Sequence, residues 1–225
     1  MFELIGVQLG EITIVLPDGW NVTDQFDHSK EFIMVSETQY RPLHEADIIF
    51  TDPPQGKEQI LTMQYGQCGE GALPINFYKT DISQTDSERL LAHQWLLYRY
   101  GVFNELGYVS DFNYPVYYLP ADGGALNHTF SKINSCSNKP EFNLTNQCPD
   151  TSVDPNTGLP THPNCDIIPV EGSIQSSFLY APLVVSQNTL CDAKTHDYLS
   201  PNKQNVLCDY QSAQEVIFKH SDFDK

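Results

Sequence analysis

Positive charge is scarce in this sequence: 12 Lys+Arg stand against 29 Asp+Glu, a formal net charge of −17 over 225 residues. Phosphate contacts need a basic patch, so this balance excludes a nucleic-acid binder and opposes docking on anionic lipid. Charge of either sign is also sparse, at 18% of residues against about a quarter in an average domain. That excludes a coiled coil and a highly charged disordered tail. No apolar run approaches the roughly 20 residues of a membrane span, and the longest, residues 177–185, falls far short. No two cysteines have the Cys-x-x-Cys spacing of a zinc ribbon or a redox motif. There is no Gly-x-Ser-x-Gly elbow, no internal repeat and no low-complexity tract. His44-Glu45 starts like a zinc-protease motif but fails at Ile48. Residues 150–158 alternate oxygen ligands as a calcium loop does, yet Pro155 and Thr161 stand where the EF-hand needs Gly and Glu. A proline-led turn is the expectation there.

What is present points outside the cell. The hydrophobic fraction of 40% suffices for a core, because a chain of this size buries roughly 70–75% of its unfolded surface. Cys68, Cys136, Cys148, Cys165, Cys191 and Cys208 make an even set. Asn21-Val-Thr, Asn127-His-Thr and Asn143-Leu-Thr are glycosylation sequons. Together they indicate an extracellular, disulfide-bonded chain. The N-terminal segment carries no basic or apolar export signal, its first basic residue being Lys30. The expectation is therefore a chain that is incomplete at its N-terminus.

Residues 11–16, 46–50, 60–64 and 74–78 read as short strands. Between the last two, Gly66-Gln67-Cys68-Gly69-Glu70-Gly71 lacks the Gly-Lys-Ser/Thr of a phosphate loop and reads as a turn pinned by a cystine. Residues 87–100 form the strongest helix, capped by Asp86 or Ser87 and followed by Gly101. Leu90, His93, Leu97 and Tyr100 share one of its faces. Residues 107–172 read as a long stapled loop region, and 211–220 as a short helix. The class is α+β. Taken alone, His93-Gln94-Trp95-Leu96-Leu97 is an amphipathic helix with one buried histidine.

The wider segment is more specific. His93-Gln94-Trp95-Leu96-Leu97-Tyr98-Arg99-Tyr100-Gly101-Val102-Phe103-Asn104-Glu105 closely resembles the HEWAHLRWGVFDE signature of the calcium-activated chloride channel regulator (CLCA) family. Leu61 to Gly69 (LTMQYGQCG) resembles its TLQYGQCG. Thr195-His196, Pro201-Asn202, Gln204-Asn205 and Cys208 resemble its THNxEAPNxQNxxC. The segment from Glu215 to Phe223 follows in order. The resemblance implies a zincin-like metalloprotease fold, a mixed sheet beside the His93 helix. It also implies a secreted domain that, in active members, binds zinc and cleaves its own chain, and proteins that regulate calcium-activated chloride conductance.

Carried over by position, the resemblance implies a lost site. Two imidazoles at i and i+4 hold one Zn²⁺ while the glutamate between them serves as general base. Here His93 matches the first ligand, Gln94 replaces the glutamate, Leu97 replaces the second histidine and Asn104 replaces an aspartate, while Glu105 is retained. Leu97 cannot ligate, Asn104 offers a neutral carbonyl, and Gln94 cannot take a proton from water. The expectation is one partial CLCA N-terminal domain over residues 1–225, with no von Willebrand A domain. It is a pseudoenzyme without a cofactor that acts through a protein partner, either an anion channel or the rest of a CLCA chain. The alternatives are a zinc-dependent self-cleaving protease whose site is rebuilt from His93, Glu105 and a distant histidine such as His196, or a fragment of a longer protein. Among the cysteines, Cys191 with Cys208 is the best local pair, and closing that loop would stabilise the chain by about 3 kcal/mol.

Overall fold

The computed structural model describes residues 45–51, 60–78, 84–108, 111–118, 132–136, 142–144, 167–169, 177–183 and 188–224. The expected strand at 11–16, the loop at 150–158, Asn21, Asn127, Cys148 and Cys165 lie outside these residues.

Strand β1 (Ile48–Thr51) pairs in parallel with β2 (Ile75–Tyr78), in register from Ile48 opposite Ile75 to Thr51 opposite Tyr78. Both expected strands form, each within two residues of the bounds read from pattern. The segment expected as a strand at 60–64 makes a single antiparallel bridge, Leu61 to Asn76, closed by two backbone hydrogen bonds of 3.0 and 2.9 Å. After it the chain turns away at Gly66 and Cys68.

Helix α1 (Gln84–Tyr100) begins three residues earlier than the pattern suggested, so Asp86 and Ser87 sit in its first turn and do not cap it. Asp86 near its N-terminus and Arg99 in its last turn complement the helix dipole. No Gly or Pro interrupts it. Ala92, His93, Leu96, Leu97 and Tyr100 are buried, so its inner face follows helical spacing. Gly101 ends it in the left-handed region, with φ 62°. A Cβ at Gly101 would run into the backbone of Gly69 and Glu70, and the Gly101 carbonyl accepts the Gly69 N–H at 3.1 Å. Glycine is required because the 66–71 turn lies directly against the end of α1.

The stretch from 107 to 172 contains order that its composition hides. Strand β3 (Tyr117–Tyr118) pairs antiparallel with β4 (Lys132–Ile133), and β5 (Phe142–Leu144) with β6 (Ile167–Pro169). Such short ladders carry too few residues to show a period in the sequence. Helix α2 (Lys203–Leu207) is capped by the Asn202 side chain, which accepts the Asn205 N–H. Helix α3 (Ala213–Ile217) lies inside the expected 211–220 helix and starts with a capping box made by Ser212 and Glu215. A short 3₁₀ turn, Ser221–Phe223, follows.

One core joins α1 to the segments that follow it and to the C-terminal helices. The inner face of α1 packs on Val102, Phe103, Phe178 and Leu179, and on Leu190, Ala213, Val216 and Ile217 from the C-terminal segment. Two disulfides clamp it: Cys68–Cys208 and Cys136–Cys191, spanning 140 and 55 residues. The expected Cys191–Cys208 pair does not form. Cys208 ends α2 and faces the 66–71 turn, while Cys191 lies beside Cys136 and accepts the Gln214 N–H at its carbonyl. Proximity along the chain was a poor guide because the C-terminal segment crosses two separate regions.

Candidate functional site

Helix α1 carries His93 on its buried face, and the turn at Gly101 brings the chain back so that Asn104 approaches the same ring. A helix, a glycine-permitted reversal and a side chain returned toward His93 thus lie together here. What differs from the motif is the chemistry.

Gln94 is buried, and its amide orientation is fixed. Its Oε1 accepts the Thr62 N–H at 2.7 Å. Its Nε2 therefore faces His93 Nδ1, at 2.9 Å. An amide NH₂ can only donate, so Nδ1 accepts and the neutral ring carries its proton on Nε2. Nε2 makes no hydrogen bond of good geometry, and neither does Asn104 Oδ1. Asn104 Nδ2 donates to the Tyr108 hydroxyl at 2.9 Å. Burial holds the His93 pKa down at about 4, against a smaller opposing pull from the Leu179 carbonyl and the Asn104 side chain. The ring is neutral in ordinary solution, with its proton on the buried Nε2.

Leu97 lies in the apolar cluster with Leu96 and Tyr100. Glu105 is fully buried, at 0% exposure. Burial raises its carboxyl to about 7, while the nearby Ser177 hydroxyl and Ala213 amide oppose the rise. Neither carboxyl oxygen makes a hydrogen bond of good geometry. His196 is engaged elsewhere: its Nε2 meets Asn205 Oδ1 at 2.6 Å. Among the described residues, the one group of three possible metal ligands that converges is Glu105, Cys136 and Cys191, not His93 with Glu105 and His196. A cleft of about 310 Å³ beside Cys68 and Cys208 is lined by none of the residues His93, Gln94, Leu97, Asn104 or Glu105.

The other motif residues act as scaffold. Gln204 Oε1 accepts the Phe103 N–H at 2.8 Å, so the first turn of α2 holds the segment after α1. Asn205 Nδ2 donates to the Asp197 and Ser200 carbonyls. Asn134, which pattern reading did not single out, donates to the Pro115 and Pro201 carbonyls and accepts the Ser200 hydroxyl. Arg99 pairs with Asp222 through both oxygens, at 3.1 and 2.6 Å. Asn143 lies on β5, opposite Ile168.

The family model "Calcium-activated chloride channel N terminal" matches residues 7–225. Calcium-activated chloride channel regulator 1 of Equus caballus is 26% identical over 230 residues, covering 95% of this chain and 23% of that protein. Regulator 3A-1 of Mus musculus is 28% identical over 226 residues, covering 96% of this chain and 24% of the relative. Regulator 4 of Homo sapiens is 25% identical over 231 residues, covering 94% and 22%. The chain thus spans about a quarter of the length of the curated relatives it matches. No solved structure matches it. The motifs of α1, of the 66–71 turn and of the 195–208 segment lie in one interlocked unit, and with the family match over nearly the whole length they show that this chain belongs to the CLCA family, in its N-terminal region.

Proposed function

We propose that this chain is a non-catalytic CLCA-type domain, which bears on calcium-activated chloride conductance through protein contacts and without zinc. The carrying observation is the Gln94 amide, held between the Thr62 N–H and His93 Nδ1. A glutamate there would accept from both neighbours. It would place the histidine proton on Nδ1, leave the Nε2 lone pair to a metal, and offer a base. Glutamine still accepts from Thr62 but donates to His93 Nδ1, which puts the ring proton on Nε2, and it offers no base. Leu97 in the apolar cluster removes the second imidazole, and Asn104 the carboxylate. One imidazole is too few, since zinc sites use three or four good ligands. A zincin-like ancestry of the arrangement is part of this reading, as is the 225-residue chain being one domain.

The relatives are named regulators of chloride channels, and the partner in this reading is such a channel or the remainder of a CLCA chain. Two disulfides and this kinship are consistent with an extracellular location, and the three sequons belong with the same reading. No helix among the described residues is long and apolar enough to cross a membrane. That the chain spans about a quarter of its relatives favours a second reading, in which its role is that of a segment within a longer protein.

The test is electrical. Purified oxidised chain is applied to cells with a calcium-activated chloride current, with and without a zinc chelator and beside a His93→Ala variant. The expected result is a change in current that neither chelator nor variant alters. A change abolished by both would overturn the metal-free reading. No change with the isolated chain, but a change with a longer chain containing it, would favour the second.

A further inference from the structure

Among the described residues, the least explained group is Glu105. Its carboxyl is fully buried, and neither oxygen makes a good hydrogen bond. Buried polar groups are nearly always satisfied, and here only the Ser177 hydroxyl and the Ala213 amide approach the carboxyl, neither in good geometry, which leaves room for a further partner. The neighbouring backbone fixes where that partner would be. The Cys136 N–H donates to the Glu105 carbonyl at 3.3 Å, and Leu106 bridges to Ser135. A carboxyl oxygen of Glu105 and the two sulfurs of Cys136 and Cys191 lie within 4.8 Å of one another, all in buried residues. The Ser135 hydroxyl is also buried without a partner.

We propose that Glu105, Cys136 and Cys191 form a zinc site of the reduced chain, which oxidation exchanges for the Cys136–Cys191 disulfide. Zinc takes thiolate and carboxylate ligands at about 2.0–2.3 Å, so a tetrahedral ion spaces its donors roughly 3.3–3.8 Å apart. Opening the S–S bond lets the sulfurs move to that spacing with little backbone change. Two thiolates and a carboxylate suit a borderline-soft divalent ion and not calcium or magnesium. Zinc binding releases the two thiol protons. Oxidation by a small-molecule disulfide balances as follows: its S–S bond breaks, the Cys136–Cys191 bond forms, the two released small-molecule thiolates take up two protons, and Zn²⁺ leaves. The site shares no residue with His93, Gln94, Leu97 or Asn104, so it stands apart from the metal-free reading of the oxidised chain.

The experiment folds the full chain with a phosphine reductant and zinc, removes loose metal, and measures zinc by elemental mass spectrometry. In parallel, thiol alkylation with and without zinc is read by peptide mapping. The expected result is about one zinc per reduced chain, near zero after oxidation, with Cys136 and Cys191 protected from alkylation by zinc. Glu105→Gln should weaken binding at least roughly tenfold, since even outer-shell changes cost that much. The peptide map needs no variant, so it stands even if Glu105→Gln folds poorly. Absence of zinc in the reduced chain, equal alkylation of Cys136 and Cys191 with and without zinc, or zinc unchanged in a Cys136→Ala/Cys191→Ala variant would each overturn the proposal.

Discussion

Replacing Glu105 with glutamine should stabilise the oxidised chain in a way that depends on pH. Burial raises the carboxyl from its usual 4.5 to about 7 in the folded chain. The unfolded chain releases the proton near 4.5, whereas the folded chain holds it to about 7. The stability contributed by the buried neutral acid is therefore complete below pH 4.5 and lost as pH rises through 7. Two and a half units at about 1.4 kcal/mol each give a loss of roughly 3 kcal/mol by pH 8. Glutamine has nearly the same shape, stays neutral throughout, and escapes the loss. Urea unfolding of both chains at pH 4.5, 6 and 8 checks this, because other titrations common to both cancel in the difference. The variant should gain about 3 kcal/mol on the wild type between pH 4.5 and 8. A difference that stays flat over that range would refute the buried, neutral carboxyl.

Other expectations follow from the same contacts. His93 is neutral down to about pH 4, so its contribution is intact above 6.5 and falls by roughly 3 kcal/mol as pH drops through 4. A non-titrating His93→Asn chain should gain that much on the wild type between pH 7 and pH 4 in unfolding assays. Gly101→Ala should cost at least about 2 kcal/mol, from the left-handed backbone and the approach of Glu70, read as a lower melting temperature. Ser212→Ala should cost about 1 kcal/mol through loss of the α3 capping box. Proteolytic mapping under non-reducing conditions should recover Cys68 joined to Cys208. In the chain-entropy model, closing that 140-residue loop is worth about 5 kcal/mol. Peptides joining Cys191 to Cys208 would contradict the structure.

Much of this was legible in the residues, and the failures share a cause. The α1 periodicity, Gly101, the short helix at 211–220 and the glycine-rich turn at Cys68 are local signals, and each appears close to where it was read. The Cys191–Cys208 pairing failed because disulfides answer to three-dimensional proximity, which spacing does not encode. Strands β3 to β6 were invisible because two or three residues cannot display alternation. At the site, the departures of Gln94, Leu97 and Asn104 from the family motif are visible in the sequence alone. The Thr62 bond that sets the tautomer of His93 is not, since it joins residues 32 apart. The setting of Glu105 beside Cys136 and Cys191 was equally hidden, for those cysteines come from segments that meet only in the fold. An acidic residue directly after a turn from a buried helix was the one available hint.

The most direct test of the central claim is the zinc content of the oxidised chain, measured by elemental mass spectrometry beside a Gln94→Glu/Leu97→His/Asn104→Asp variant whose folding is checked by circular dichroism. The account predicts near zero zinc in the natural chain and about one per chain in the folded variant. About one zinc per chain in the oxidised natural protein would contradict it.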